Sequence, residues 1–254
     1  MKQWALILGA SSGIGAACAK KLAEAGINIY GIYLRKPQSI ITELEEYIKN
    51  QNVEVYFHKM NAVNEDKRIE VINNLKKLGS VKCFIHSIAF GTLKPMISKD
   101  EKESLNHKNI EMTINVMGSS LVYWSQALYR ANLLKNGSQI YSMTSSGGRK
   151  QWPSYGAVSM AKASLESASR QLAIELAEEG ISVNAIQAGV TDTPALRKIP
   201  GSQRMIDNAI NNNPSKRLTT PEDIADYIAL FTKTNNSWMT GNIIRLDGGE
   251  DING

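Results

Sequence analysis

A phenol and an ammonium group stand seven residues apart in the stretch YGAVSMAK, which runs from Tyr155 to Lys162. The stretch lies within a segment of helical periodicity, where a separation of seven puts two side chains about 20° apart around the axis and roughly 10.5 Å along it. The two side chains therefore share one face. An ammonium group near a phenol favours the phenolate and lowers its pKa, so the pair predicts a proton donor that stabilises developing negative charge. The alternative is that Tyr155 only lines a pocket wall.

Two serines compete for a place beside this pair. Ser145 lies seventeen residues before Lys162, and Ser142 lies thirteen residues before Tyr155. A hydroxyl group there would donate to a polarised oxygen or order the pocket. The residues alone leave the choice between the two serines open.

The segment LILGASSGIGAACAKKLAEAG carries Gly9, Gly13 and Gly15 between an apolar run and a segment of helical periodicity. Glycines allow a tight strand-to-helix turn, where the backbone approaches a pyrophosphate and the N–H groups at the positive end of the helix bind it. A glycine-rich turn alone is a weak signal, and its position after the first predicted strand strengthens it. The segment predicts a dinucleotide-binding turn.

Two positively charged residues follow the second apolar run, at the position where a site for NAD usually has an acidic residue. The sequence there is YLRK, which contains Arg35 and Lys36. These side chains would bind a 2′-phosphate on the adenosine ribose, with Ser12 of the glycine turn as a helper. The pattern therefore favours NADP(H), and the alternative is that both are solvated loop cations.

Apolar runs bounded by turn residues alternate with helical segments along the whole chain. The predicted strands are 4–8, 27–33, 53–57, 82–89, 138–143, 181–186 and 242–247, and the predicted helices are 14–25, 39–50, 65–78, about 104–131, 154–178 and 221–233. Strands of nearly continuous Ile, Val and Leu are typical of a parallel sheet covered on both faces. The pattern predicts one Rossmann-type, doubly wound α/β domain over residues 1–254, with seven parallel strands. Residues 190–213 depart longest from the alternation and are predicted to be a mobile lid.

The composition is that of an ordinary globular protein, with 43% hydrophobic and 21% charged residues. The net charge of +5 at pH 7 comes from scattered cations and not from a basic stripe, so no nucleic acid partner is expected. The excess charge suits a phosphorylated cofactor or an acidic carrier, and it equally suits solubility alone. No run approaches the ~18 apolar residues of a membrane helix, and the start of the chain lacks the apolar core of a secretory signal, so a soluble cytoplasmic protein is expected.

Cysteines and histidines give no sign of a cross-link or a metal. Cys18 and Cys83 lie far apart in apolar surroundings and are predicted to be reduced packing residues. His58, His86 and His107 lack metal-ligand spacing, so no metal is expected. His86 ends an apolar run and is expected to be a hydrogen-bonded core histidine, not an acid.

Together these motifs resemble the short-chain dehydrogenase/reductase family over essentially the whole chain. Further segments that carry the resemblance are INVMG around Asn115, YSMTSS before the tyrosine, QAGVTDT after the sixth predicted strand and GNIIRLDGG near the end. Most members have Tyr-x3-Lys, whereas here the residue four before Lys162 is Val158 and the pair is Tyr-x6-Lys. That spacing and HSIAF at 86–90 resemble the NADPH-dependent bacterial enoyl-acyl-carrier-protein reductases. Asn115 and Ser145 instead resemble the oxo-reductases of the family.

The resemblance implies a role for each matching residue. The catalytic set would be Tyr155, Lys162, Ser145 and Asn115, with Lys162 also holding the nicotinamide ribose. The cofactor, NADPH, would be bound by Gly9, Ser11, Ser12, Gly13, Ile14, Gly15, Arg35, Lys36, Asn61, Ala62, Ser87, Ile88, Ala89, Lys162, Gly189, Thr191 and Thr193. Among these, Asn61 would pair with the adenine, and the two threonines would hold the carboxamide and the pyrophosphate. The family also implies a homotetramer.

The Tyr-x6-Lys spacing suits conjugate reduction. In ketone reduction, hydride arrives at the carbon that carries the protonated oxygen, whereas an enoyl thioester receives hydride at C3 while charge develops on the oxygen at C1. That oxygen lies farther from the nicotinamide, and a tyrosine displaced by one helical turn can meet it. The predicted reaction is the NADPH-dependent reduction of the 2,3 double bond of an enoyl thioester, carried by acyl carrier protein or coenzyme A, in fatty-acid-type biosynthesis.

Two other activities stay open. A 3-oxoacyl or other carbonyl reductase would use Ser145, Tyr155 and Lys162 with Asn115, and a catalytically silent NADP(H)-sensing protein would use the cofactor site alone. Apolar residues of the predicted lid would either form a wall for an acyl chain or simply pack within helices: Ala195, Leu196, Ile199, Met205 and Ile206.

Overall fold

Seven parallel strands form one sheet in the computed structural model, which describes residues 2–253. The strands are β1 (Gln3–Leu8), β2 (Asn28–Tyr33), β3 (Val55–Lys59), β4 (Ser80–His86), β5 (Gln139–Ser145), β6 (Ser182–Ala188) and β7 (Ile243–Leu246). Their spatial order is β3-β2-β1-β4-β5-β6-β7. The chain winds outward from β1 to β3, returns to the middle and winds the other way from β4 to β7. This order confirms the predicted doubly wound α/β fold, in which ligands bind at the point where the winding reverses.

Helices cover both faces of the sheet. They are α1 (Gly13–Glu24), α2 (Gln38–Lys49), α3 (Glu65–Leu78), α4 (His107–Ile114), α5 (Ser120–Arg130), α6 (Gly156–Leu176), α7 (Ser202–Asn212) and α8 (Pro221–Thr232). Asn64 and Thr220 begin α3 and α8, since each side chain accepts a hydrogen bond from the third backbone N–H of its helix. None of the helices within residues 2–253 has the length and apolarity that a bilayer crossing requires.

Apolar side chains fill the space on both sides of the sheet, which explains why the strands are almost continuously apolar. Trp4 and Trp124 are fully buried in one cluster, and Ile29 is fully buried in the other. Cys18 and Cys83 belong to the second cluster and are free thiols. Burial raises the pKa of both thiols, as expected of reduced packing residues.

All seven strands differ from their predicted bounds by one to three residues, and β3 and β4 differ most. β3 begins two residues after the start of the predicted strand 53–57, because the N–H of Glu54 donates to the side chain of Asn28 at 2.8 Å. β4 ends at His86, three residues before the end of the predicted strand. Beyond that residue the chain leaves the sheet and passes beside the glycine turn.

Two predicted helices are also corrected. The segment 104–131 is not one helix, because a π-helical turn at Asn115–Ser119 joins α4 to α5. The predicted helix 154–178 starts later, since Ser154 has φ +62° and Tyr155 is the N-cap of α6. Tyr155 therefore stands at the boundary of the helix in which Lys162 lies, where its carbonyl oxygen accepts a helical hydrogen bond of 2.8 Å from Ser159 N.

Lys82 is a buried lysine in β4 that joins three parts of the chain. Its Nζ donates to Gly137 O at 2.6 Å, to Thr234 O at 2.8 Å and to Asn235 Oδ1 at 2.8 Å. These acceptors lie in the loop before β5 and in the loop after α8. Burial lowers the pKa of Lys82, because neutral acceptors replace only part of its hydration.

Replacing Lys82 by methionine keeps the aliphatic stem and removes all three hydrogen bonds. We expect Lys82→Met to lower the free energy of unfolding by about 2 kcal/mol, because buried acceptors lose their donor while the cost of burying a charge is relieved. Urea unfolding followed by circular dichroism measures this loss. Lys77→Met, on the exposed side of α3, is the control and should change stability by less than about 0.5 kcal/mol. Equal stability of the two variants would contradict the prediction.

Candidate active site

The glycine turn between β1 and α1 forms a backbone cradle. A Cβ on Gly9 would lie 2.2 Å from Ser87 O, and a Cβ on Gly15 would lie 2.2 Å from Gly9 O. Gly13 has φ +53°, in the left-handed region that favours glycine. Ser12 is the N-cap of α1, and its side chain makes no capping hydrogen bond, which leaves the first helical N–H groups available to an anion. These residues fit the pyrophosphate of a dinucleotide.

Arg35 and Lys36 follow β2 at the same edge of the sheet. The Cζ atom of Arg35 lies 4.1 Å from the centroid of the Phe90 ring. Neither cation takes part in an ion pair within residues 2–253. This corner of the crevice therefore presents positive charge without a neutralising carboxylate.

The loop after β3 holds two of the predicted cofactor residues. Asn61 is exposed, and its Oδ1 accepts a hydrogen bond of 3.2 Å from Val63 N. The carbonyl oxygen of Ala62 accepts a hydrogen bond of 2.8 Å from Trp124 Nε1. The Asn61 side chain thus reaches the surface of the crevice, while Ala62 anchors the loop to the core.

The loop after β4 runs alongside the glycine turn. Ser87 N donates to Leu8 O at 2.9 Å, so this loop still follows β1. Ile88 packs against two core clusters and Ala89 is exposed. In the glycine turn itself, Ser11 is partly exposed, while Ile14 packs against the core.

Tyr155 and Ser145 lie beside each other against Gly147, and the Ser145 hydroxyl lowers the pKa of Tyr155 against the effect of burial. Ser145 ends β5, and its Oγ accepts from Gly147 N at 3.3 Å. The ring of Tyr155 lies against Gly147, where a Cβ would be 2.5 Å from ring carbon Cε1. Ser142, the competing serine, is fully buried and shares a hydrogen bond of 2.9 Å with Ser169. Of the two serines, Ser145 is the one beside the tyrosine.

Lys162 lies inside α6 and is only 7% exposed. Its Nζ donates a hydrogen bond of 2.6 Å to Met143 O in β5. Burial lowers the pKa of Lys162 to about 8, with the charge of Glu166 opposing the fall. The ammonium group therefore loses its proton within the ordinary range of assay pH.

The predicted lowering of the Tyr155 pKa by Lys162 is wrong in this structure. Burial raises the pKa of Tyr155, and the group that opposes the rise is the hydroxyl of Ser145. The physical reason is geometric, because Tyr155 precedes the helix and the lysine binds the backbone of Met143.

Thr144 and Glu166 form a pair that sequence reasoning missed. Thr144 Oγ1 donates to Glu166 Oε1 at 2.6 Å, which joins β5 to α6 one helical turn beyond Lys162. The negative charge of Glu166 raises the pKa of Lys162 against the effect of burial. The signal that could have revealed it is the i, i+4 spacing of lysine and glutamate on one helix.

A buried histidine braces the π-helical turn at Asn115–Ser119. Ser120 Oγ donates to Val116 O at 2.8 Å and accepts from His86 Nε2 at 2.7 Å. Burial and the nearby charge of Lys162 lower the pKa of His86 to about 3, so the imidazole stays neutral. His86 is thus the hydrogen-bonded core histidine that the sequence predicted. Asn115 begins the turn and stays partly exposed.

The loop after β6 packs against the glycine turn. The Thr193 methyl carbon lies 3.2 Å from the position of a Cβ on Gly13, and Thr193 Oγ1 accepts from Leu196 N at 3.2 Å. Thr191 is buried, and its Oγ1 donates to Gly189 O at 2.9 Å. The loop after β6 therefore contacts the glycine turn at this edge of the sheet.

The segment after β7, which sequence reasoning did not assign to the site, supports this loop. Glu250 Oε2 accepts a hydrogen bond of 3.0 Å from Val190 N. The side chain of Asp251 is 3% exposed and binds cations from β7 and from the loop after β5: Arg149, Lys150 at 2.7 Å and Arg245 at 3.7 Å. These contacts join positions far apart in the chain, so no local pattern predicts them.

Residues 190–213 are more regular than their composition suggests, since they contain α7 and a short 3₁₀ turn at Leu196–Lys198. Of the five apolar residues predicted to form a wall, Leu196 and Ile206 are buried and the other three, Ala195, Ile199 and Met205, are partly exposed. Trp152 Nε1 donates to Pro200 O at 3.0 Å. This bond links the segment to the loop that carries Tyr155.

The three histidines lie in separate secondary-structure elements. His58 lies in β3, His86 in β4 and His107 at the start of α4. Within residues 2–253, no group of three or more His, Cys, Asp or Glu side chains is placed to hold a metal ion.

Comparison with known proteins connects this geometry to one family. Residues 9–250 match the family described as enoyl-(acyl carrier protein) reductase. The enoyl-acyl-carrier-protein reductase (NADH) of Buchnera aphidicola subsp. Baizongia pistaciae is 31% identical over 192 residues, which cover 75% of this chain and 73% of that protein. The 3-oxoacyl-acyl-carrier-protein reductase of Buchnera aphidicola subsp. Acyrthosiphon pisum is 26% identical over 254 residues, which cover 98% and 97%. The crystal structure of enoyl-acyl-carrier-protein reductase (NADH) from Aquifex aeolicus VF5 has a TM-score of 0.84 at 23% identity, and the match covers 98% of this chain and 96% of that one.

The chain belongs to the short-chain dehydrogenase/reductase family, close to its enoyl-acyl-carrier-protein reductases. It is an oxidoreductase that depends on a nicotinamide cofactor, as the sequence predicted. The family assignment rests on the sequence matches, and the solved structure supports the fold.

The protonation of Lys162 predicts how cofactor binding depends on pH. Below a pKa of about 8 the group is an ammonium, which would donate hydrogen bonds to ribose hydroxyls in the predicted role of Lys162, and above it the group is a neutral amine. The affinity for reduced cofactor should therefore be constant at lower pH and fall as pH rises through about 8. Fluorescence titration of bound NADPH across this range measures it. Lys162→Arg keeps its charge and should show a flat profile, and a flat profile for the unaltered protein would refute the prediction.

Proposed function

We propose that the protein reduces the 2,3 double bond of an enoyl thioester with NADPH, in fatty-acid-type biosynthesis. The observation that carries this proposal is the residue four positions before Lys162, where most members of the family keep tyrosine. That residue is Val158, which is 5% exposed and packs with Val116, Met117 and Ala161. The phenol available to a substrate is then Tyr155, at the start of α6.

The position of Tyr155 suits an enolate oxygen. When bound, the nicotinamide would supply hydride for C3 of the enoyl group, so that negative charge would develop on the thioester oxygen. Tyr155 would donate a hydrogen bond to that oxygen, and Ser145 lies beside the phenol against Gly147. A proton from solvent water, delivered to C2, would complete the reduction. The raised pKa of Tyr155 keeps it a donor, as this role requires.

Lys162 would serve the cofactor and not the phenol. Its buried ammonium group is fixed by Met143 O and would use its remaining donors for the ribose hydroxyls. Thr144 and Glu166 hold the adjacent turn of α6 to the end of β5. The same edge carries Thr191 and Thr193, which would bind the carboxamide and the pyrophosphate.

The preference for NADPH is supported by the charges after β2. Arg35 and Lys36 occupy the place of the acidic residue that binds an unphosphorylated ribose, and no ion pair within residues 2–253 neutralises them. The name of the Buchnera enoyl reductase specifies NADH. The proposal therefore sets this chain apart from that relative at the adenosine end of the cofactor.

The remaining parts of the proposal concern the substrate and the assembly. Residues 190–213 would act as a lid over an acyl chain carried by acyl carrier protein or coenzyme A, and Trp152 would couple the lid to the loop of Tyr155. The enzyme would work as a homotetramer in the cytoplasm, by resemblance to its family. Neither a nucleic acid nor a membrane takes part in this function.

A second function, reduction of a 3-oxoacyl thioester, is favoured by one feature of the site. Asn115 starts a π-helical turn, and Ser145 stands beside Tyr155, which resembles the arrangement of the oxo-reductases. The 3-oxoacyl reductase of Buchnera matches almost the full length of the chain. We rank this function second, because Val158 takes the place of the tyrosine that such enzymes keep.

Purified protein with NADPH should oxidise the cofactor when crotonyl thioester is added, and much less when acetoacetyl thioester is added. The loss of NADPH absorbance measures both rates, with coenzyme A and acyl carrier protein as alternative carriers. Turnover of the acetoacetyl compound alone would support the second function, and NADPH binding without turnover would indicate a sensor.

Tyr155→Phe tests the same proposal at the phenol. Turnover of the enoyl substrate should fall about 100-fold, because the donor to the developing oxyanion is removed. The affinity for NADPH should stay unchanged. Tyr129→Phe, at an exposed phenol that binds Glu179, is the matched control and should keep full activity.

Arg35→Ala tests the cofactor preference. The affinity for NADPH should fall about 10- to 100-fold, because charge-assisted hydrogen bonds to a phosphate are lost, while the affinity for NADH should hardly change. Binding titrations with both cofactors measure the effect. An equal loss for both would remove the preference for NADPH from the proposal.

A further inference from the structure

Arg35 and Phe90 make a contact that neither the family match nor the proposed catalytic set explains. The Cζ atom of Arg35 lies 4.1 Å from the ring centroid, well within the ~6 Å range of a cation–π interaction. No hydrogen bond or ion pair within residues 2–253 involves the Arg35 side chain, so the ring is its main partner there.

The contact spans the crevice at the carboxyl edge of the sheet. Arg35 follows β2 and Phe90 follows β4, and these two strands lie on either side of β1. The glycine turn directly follows β1. The contact between Arg35 and Phe90 therefore lies at the end of β1, beside the backbone cradle that fits a pyrophosphate.

The ring is the fixed partner of the two. Phe90 is partly buried and packs against the cluster of Val116, Met117, Val158 and Ala161, whereas Arg35 is exposed. A long exposed side chain otherwise samples many rotamers, and ordering it on binding costs free energy. A rigid ring that holds the guanidinium lowers this cost before any ligand arrives.

The contact with the ring leaves the donors of arginine available. No hydrogen bond within residues 2–253 uses the N–H groups of the Arg35 guanidinium, so they stay free for bidentate binding of a phosphate. Lysine has no planar group of donors, so Lys36 would add charge without fixing a direction.

We infer that Phe90 is a positioning residue that sets selectivity for a 2′-phosphorylated adenosine by holding the Arg35 guanidinium over the adenosine end of the crevice. This inference rests on the proposed preference for NADPH. The sequence assigned cofactor selectivity only to Arg35 and Lys36, which follow β2. The inference assigns a part in it also to Phe90, in the loop after β4.

Binding of two small probes tests the inference without turnover. Adenosine 2′,5′-bisphosphate carries the 2′-phosphate, and adenosine 5′-monophosphate lacks it. Isothermal titration should show that Phe90→Leu weakens the bisphosphate about fivefold and leaves the monophosphate unchanged. Phe90→Tyr keeps an aromatic face and should bind both probes like the unaltered protein. In an Arg35→Ala background, Phe90→Leu should have no further effect on the bisphosphate.

The outcomes distinguish a failure of the role of Phe90 from a failure of the NADPH preference. If Arg35→Ala does not selectively weaken binding of the bisphosphate, both the NADPH preference and the role of Phe90 are overturned. If Arg35→Ala is selective but Phe90→Leu is not, only the inference is overturned. Tighter bisphosphate binding by Phe90→Leu would also overturn it, because the ring would then restrain arginine from the ligand. Equal loss of both probes would assign Phe90 to packing alone.

Discussion

The hydrogen bond from Lys162 Nζ to Met143 O fixes the geometry on which the site depends. A buried ammonium group must keep its acceptor, so α6 cannot slide along β5 without a large cost in free energy. One turn farther along the helix, Glu166 binds Thr144, and the strand is held at two successive points. Ser145 ends the same strand, so these two contacts between β5 and α6 also set its position relative to the start of α6.

A small apolar cluster of residues from the π-helical turn and from α6 lies next to these contacts. Val116 and Val158 belong to it, and Phe90 and Tyr155 pack at its rim. Tyr155, the proposed donor to the substrate, and the aromatic ring beside Arg35 thus share one set of packing contacts. The proposed selectivity and the proposed chemistry would therefore depend on the same few side chains.

Much of the fold could be predicted, because strands buried on both faces are continuously apolar and because the turn at Gly9 tolerates no side chain. The π-helical turn that divides the predicted long helix could not be predicted. It is braced by a hydrogen bond between His86 and Ser120, which lie 34 positions apart. The pKa of Tyr155 was predicted in the wrong direction, because desolvation depends on the whole fold and not on helical spacing. The choice of Ser145 over Ser142 followed from the family resemblance, which places a serine seventeen residues before the lysine, and the position of Ser145 beside Tyr155 agrees with it.

Four tryptophans are present in the sequence, and their surroundings differ in a useful way. Trp4 and Trp124 are fully enclosed, while Trp238 is 93% exposed, so the emission of each should vary little if the proposed lid moves. Trp152 links the segment 190–213 to the loop that carries Tyr155, through its bond to Pro200 O. Its indole is consequently a natural optical probe, by which movement of the proposed lid can be timed without an attached dye.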